Sequence, residues 1–87
     1  MLGLIGTAAG HAAPYPHQKV VYDLGSSDPR RWQTSLINIR NHMRVVGARR
    51  IQLHLVIHGA GVRMLRAARS EPGLRRQLAA LQAAGVA

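Results

Sequence analysis

Ile51-Gln52-Leu53-His54-Leu55-Val56-Ile57-His58, followed by Gly59-Ala60-Gly61, is the stretch that decides the fold. Ile51, Leu53, Leu55 and Ile57 alternate with Gln52, His54, Val56 and His58, and a period of two is that of a β-strand. The odd positions make a complete apolar face. The even positions are mixed, so that face is expected to be covered only in part, or by another subunit. Upstream, Lys19–Leu24 (KVVYDL) is rich in β-branched and aromatic residues and stops at Gly25, which predicts a second strand. Gly25-Ser26-Ser27 is a turn, and Asp28-Pro29 starts a helix with Asp as N-cap and Pro at the first helical position.

The helix is expected over Pro29 to Val46, ending at Gly47. Trp32, Leu36, Ile39, Met43 and Val46 follow helical spacing and form one apolar stripe. Arg31, Ser35, Asn38 and His42 form a polar shoulder beside it. After the glycine loop come a short helix, Val62–Arg69, and another opened by Ser70 as N-cap, with Leu74, Leu78 and Leu81 as its stripe. Gly85 ends that helix, and Val86-Ala87 reads as the first step of a further strand. Strands alternating with helices imply parallel βαβ units. The expected architecture is therefore α/β, a βαβα(α) three-layer sandwich with a small parallel sheet, apparently truncated before its third strand. The sequence divides into a leader, residues 1–18, and one α/β domain, residues 19–87.

Residues 1–18 have a different character. Met1–Ala13 is apolar and uncharged, and Pro14-Tyr15-Pro16 blocks regular structure. Gly10 and Ala12 suit a signal-peptidase site, although a basic leading region is missing. The segment is either the remnant of a signal peptide, which would imply a periplasmic protein, or a flexible leader on a cytoplasmic one.

The 87 residues allow one small domain with a thin core. No apolar run reaches the ~20 residues of a membrane-spanning helix. With no cysteine, protein-thiol catalysis, Cys-based zinc sites and persulfide carriage on this chain are excluded. The three acids, Asp23, Asp28 and Glu71, do not suggest a carboxylate-pair hydrolase. No Ser-His-Asp set, phosphate loop or complete dinucleotide fingerprint is present. His54 and His58 stand four residues apart on a strand, ~13 Å, too far to chelate one metal. No catalytic, metal or cofactor site is therefore assigned. The net charge of +9 comes from eleven Arg and Lys19 against those three acids. The arginines fall on every element, which is the pattern of a solvated surface more than of a nucleic-acid face.

The stretch Lys19 to Val86 resembles the DsrE/DsrF-like family of small α/β proteins. The matching features are strand KVVYDL and the helix start with Asp28, Pro29 and Trp32. Asn38, Asn41 and His42 follow, and then the strand ending in His58-Gly59-x-Gly61. The resemblance implies homo-oligomers, as trimers or hexamers, and a role in sulfur relay or sulfur oxidation with a sulfur-carrier protein as partner. Sulfur-carrying relatives hold persulfide on a cysteine just beyond the strand that would begin at Val86, a position this chain does not contain. What the resemblance implies for this chain is therefore an accessory binding or carrier module without its own catalytic cysteine. A small basic nucleic-acid-binding domain and a structural oligomer with no ligand are the alternatives. Ligands of doubly wound sheets sit at the carboxyl ends of the strands. The candidate binding residues are accordingly Gly25, Ser26, His58, Gly59 and Gly61, with Arg63 after the glycine loop and Asn38 on the helix shoulder.

Overall fold

The computed structural model describes residues 17–87; the signal-or-leader reading of the amino-terminal segment falls almost wholly outside them. Strand β1 is Gln18–Leu24, helix α1 Pro29–Val46 and strand β2 Ile51–Ile57. A single 3₁₀ turn, Gly59–Gly61, leads into α2 (Val62–Ala68), and α3 is Pro72–Ala83. The two strands pair in parallel, with Gln18 opposite Ile51 and Leu24 opposite Ile57. This is the βαβαα order and parallel sheet expected from the alternation of patterns.

The core forms on one side of the sheet. Val20, Tyr22, Leu24, Ile51, Leu53, Leu55 and Ile57 pack with the stripe Trp32, Leu36, Ile39, Met43 and Val46 and with Leu74, Leu78 and Leu81 of α3. Ile39 and Met64 are fully buried. Parity explains the other side. Lys19, Val21 and Asp23 of β1, and Gln52, His54 and Val56 of β2, are all exposed. Val21 is 65% exposed and Val56 46%, so no second helical layer covers this face among the described residues. Parallel sheets normally have both faces covered.

Local chemistry sets the element ends. Asp28 Oδ1 accepts from the Arg30 backbone N–H, as an N-cap should. At the end of α3, Gly85 adopts φ +106° and the Val86 N–H reaches back to the Leu81 carbonyl at 3.0 Å. That six-to-one bond closes a Schellman motif and turns the chain back toward the sheet. Ala87 then donates to the Leu53 carbonyl at 3.0 Å and accepts from the Leu55 N–H at 2.9 Å. These two bonds bracket His54 in the manner of a parallel ladder, on the edge of β2 away from β1. The expected first step of a further strand is thus present in the backbone of Ala87.

One expectation is corrected, and two contacts carry no signal in the sequence pattern. The N-cap of α3 is Glu71, not Ser70, and it makes no side-chain capping bond; the Ser70 hydroxyl instead donates to the Ala67 carbonyl. The end of α2 is sealed from α3, where one Arg75 guanidinium nitrogen donates to the carbonyls of Ala68 and Arg69. His42, on the polar shoulder of α1, lies between Tyr22 Oη and Gln18 Oε1, each at 3.1 Å, and so ties α1 to β1.

Among the described glycines the tightest backbone approach is at Gly61. A β-carbon there would overlap the Leu24 carbonyl oxygen, so the loop after β2 can lie against the end of β1 only because position 61 has no side chain. A β-carbon on Gly73, in the first turn of α3, would meet nothing within 4 Å. Gly61→Ala is expected to lower unfolding free energy by about 3 kcal/mol, through strain at a backbone contact that cannot relax. Gly73→Ala is expected to raise it by about 0.5 kcal/mol, by reducing unfolded-state entropy. Urea denaturation of the two variants measures both.

Candidate functional site

The carboxyl ends of β1 and β2 open on two loops, residues 25–28 and 58–61, which the parallel register brings side by side. The His58 N–H donates to the Leu24 carbonyl at 3.1 Å, and the Gly61 N–H donates to the His58 carbonyl at 2.9 Å. Five of the sequence-predicted residues, Gly25, Ser26, His58, Gly59 and Gly61, therefore lie on one edge of the sheet. Gly25 is in direct reach of His58: a β-carbon at Gly25 would stand 2.7 Å from His58 Cε1 and 2.9 Å from Nε2. The absent side chain leaves the space that the imidazole occupies.

His58 Nε2 is paired with Asp23 Oδ1. Asp23 was not among the residues singled out from sequence, although a signal existed. Asp23 and His58 share the parity of the open face, and the register puts Asp23 opposite Val56, two residues before His58. Both side chains are largely solvent-exposed, at 69% for Asp23 and 57% for His58, so water screens the pair and its contribution to stability is small. Its chemical consequence is orientation. A neutral imidazole that donates from Nε2 to a carboxylate carries its lone pair on Nδ1.

Ser26 is placed at the site's edge but its groups are engaged locally. Its hydroxyl accepts from the Asp28 N–H at 3.0 Å, and its carbonyl accepts from Trp32 Nε1 at 2.7 Å. The Trp32 bond clamps the loop after β1 onto the start of α1; periodicity marks Trp32 as core and carries no hint of that bond. Asn38 and Arg63 are the outlying members of the predicted set. Asn38 is exposed and lies nine residues into α1, about 13 Å along the axis from Pro29. Arg63 is exposed in the first turn of α2.

Two clefts lie elsewhere among the described residues. A groove of about 500 Å³ runs between α1 and α3 over Leu36, Met43 and Leu81, with Arg40 and Arg44 beside it, and contains none of the predicted residues. A second, of about 410 Å³, sits at the opposite, amino ends of the strands. Among the described residues no group of three His, Cys, Asp or Glu side chains is arranged to hold a metal ion, and no helix is long and apolar enough to cross a membrane. Among the described residues the aromatics offer no stacking platform for bases: Trp32 is buried, and Tyr22 is half-buried and bonded to His42.

Comparison with protein-family models, curated proteins and solved structures finds no match to this chain.

The clash at Gly25 involves the far end of a side chain that can rotate, so the fold should tolerate a small residue there. Gly25→Ala is expected to move the His58 ring off Asp23 while changing stability by less than about 1 kcal/mol. In NMR spectra of the imidazole nitrogens its His58 signals should shift in the same sense as those of Asp23→Asn. Unchanged signals in both variants would contradict the pairing.

Proposed function

We propose that this chain is a DsrE/DsrF-like accessory protein of sulfur metabolism, an oligomeric binding or carrier module that has no catalytic cysteine of its own. The observation that carries the reading is His58, held by Asp23 in the space left by Gly25 at the carboxyl ends of parallel strands. Small ligands of open α/β sheets occupy this edge. The βαβαα order and the strand position of Ala87 agree with the family's arrangement of elements.

The chemistry follows from the tautomer. His58 Nδ1 accepts the proton of a thiol or hydropersulfide. The imidazolium so formed donates that N–H back to the sulfur anion. Asp23 compensates the positive charge from the other side of the ring. No covalent bond to the protein is made, so the sulfur remains on polysulfide or on the cysteine of a partner protein. The bare sheet face, with Val21 and Val56 exposed, is a surface through which copies of the chain can associate.

Purified protein mixed with polysulfide, then separated from free ligand, should retain sulfane sulfur and alter its transfer to a thiol-bearing acceptor. His58→Ala should weaken retention about tenfold, the loss of one charge-assisted hydrogen bond. The reading fails if no sulfur is retained and the acceptor reaction is unchanged.

A further inference from the structure

We infer that the outer edge of β1 is a self-association surface, at which two copies of this chain pair β1 against β1 in antiparallel register about Val21. The contact lies at an edge of the sheet, not on its open face, and does not rest on the sulfur chemistry proposed for His58.

The backbone sets which groups face outward. Gln18 N–H donates to the Arg50 carbonyl at 2.8 Å, and the Leu24 carbonyl accepts from the His58 N–H at 3.1 Å. With Gln18 opposite Ile51 and Leu24 opposite Ile57, the even-numbered residues of β1 supply the bonds to β2. The N–H and C=O groups of Lys19, Val21 and Asp23 therefore point the other way, to an edge with which no other strand pairs among the described residues. The far edge of β2 takes Ala87, so the β1 side is the one left open. An unpaired row of this kind is a template for another strand.

The same three residues put their side chains on the open face, and all three are exposed. Their order decides the partner. Lys19 and Asp23 stand at equal spacing on either side of Val21. A two-fold axis through Val21, perpendicular to the sheet, sets Val21 against its copy and each Lys19 opposite the partner's Asp23. Each opposed pair at these positions exchanges two N–H···O bonds and holds its side chains about 5 Å apart. A register centred on Val20 or Tyr22 sets Lys19 opposite Val21 or Gly25 instead and loses both charge pairs. Asp23 Oδ1 is engaged by His58 Nε2, which leaves Oδ2 for the incoming ammonium. The partner's Lys19 thus arrives beside the Asp23–His58 pair. Two chains of net charge +9 repel one another at long range. At ~0.15 M salt that repulsion is screened beyond about 8 Å, a distance greater than the spacing of the pairs across the seam.

Sedimentation of the full chain at ~0.15 M salt, over a range of concentrations, reads the association. The expected species at high concentration has twice the 9.5 kDa mass of the chain. Val21→Pro removes one outward N–H and no bond to β2, so this variant should keep its thermal transition and lose the dimer. Lys19→Glu and Asp23→Lys each set like charges opposite one another at both ends of the seam, and each should weaken association about tenfold or more. An equal mixture of those two variants brings back both opposite-charge pairs and should regain the dimer. Val56→Ser lies two strand spacings, about 10 Å, from the partner strand and should change association less than about twofold. A parent chain that stays monomeric at every concentration overturns the edge pairing. So does an assembly unchanged by Val21→Pro and by both charge reversals, or a loss that the mixture does not restore. Retention of sulfane sulfur is read separately, so failure of either leaves the other standing.

Discussion

The parallel pairing of β1 with β2, in the register that sets Leu24 opposite Ile57, governs everything else in this molecule. Side chains alternate along a strand, so a one-residue slip would send Val20, Tyr22 and Leu24 to the open face and strip the core of half its floor. The same register lets the loop after β2 fold over the end of β1. There Gly61 lies against the Leu24 carbonyl with no room for a β-carbon. Pairing and loop contact are mutually dependent: each holds the other in place.

From that one constraint the two ends of the sheet acquire different chemistry. At the carboxyl end, Asp23 and His58 emerge on the same face and meet. At the amino end, Lys19 and the turn carrying Arg49 and Arg50 surround a cleft without a carboxylate. Four residues of β1 separate an acidic end from a basic one. The helices reinforce the division, because α1 begins at a cap formed by Asp28 and finishes next to the basic turn.

The bare face of the sheet is the other consequence. Crossovers α1 and α3 both pack with the core side, and among the described residues the opposite face shows Val21, His54 and Val56 to solvent. In so small a domain the covered face supplies most of the apolar burial. Among the described residues the open face therefore has little role in holding the chain together.

Much of the architecture was legible in the residues because it rests on local rules. Periodicity marked both strands and the stripe from Trp32 to Val46. Asp28-Pro29 marked the start of α1, and Gly85 marked the stop of α3. The turn-and-edge location of Gly25, Ser26, His58, Gly59 and Gly61 followed from the βαβ pattern alone. What only the tertiary structure decided were the contacts that tie one segment to another. Asp23 with His58, His42 between Tyr22 and Gln18, Trp32 on the Ser26 carbonyl, and Arg75 on the end of α2 belong to this group. Composition and spacing state which face a residue occupies, but a long-range pairing also needs the register between strands and the reach of each rotamer. Those are set when the whole core closes.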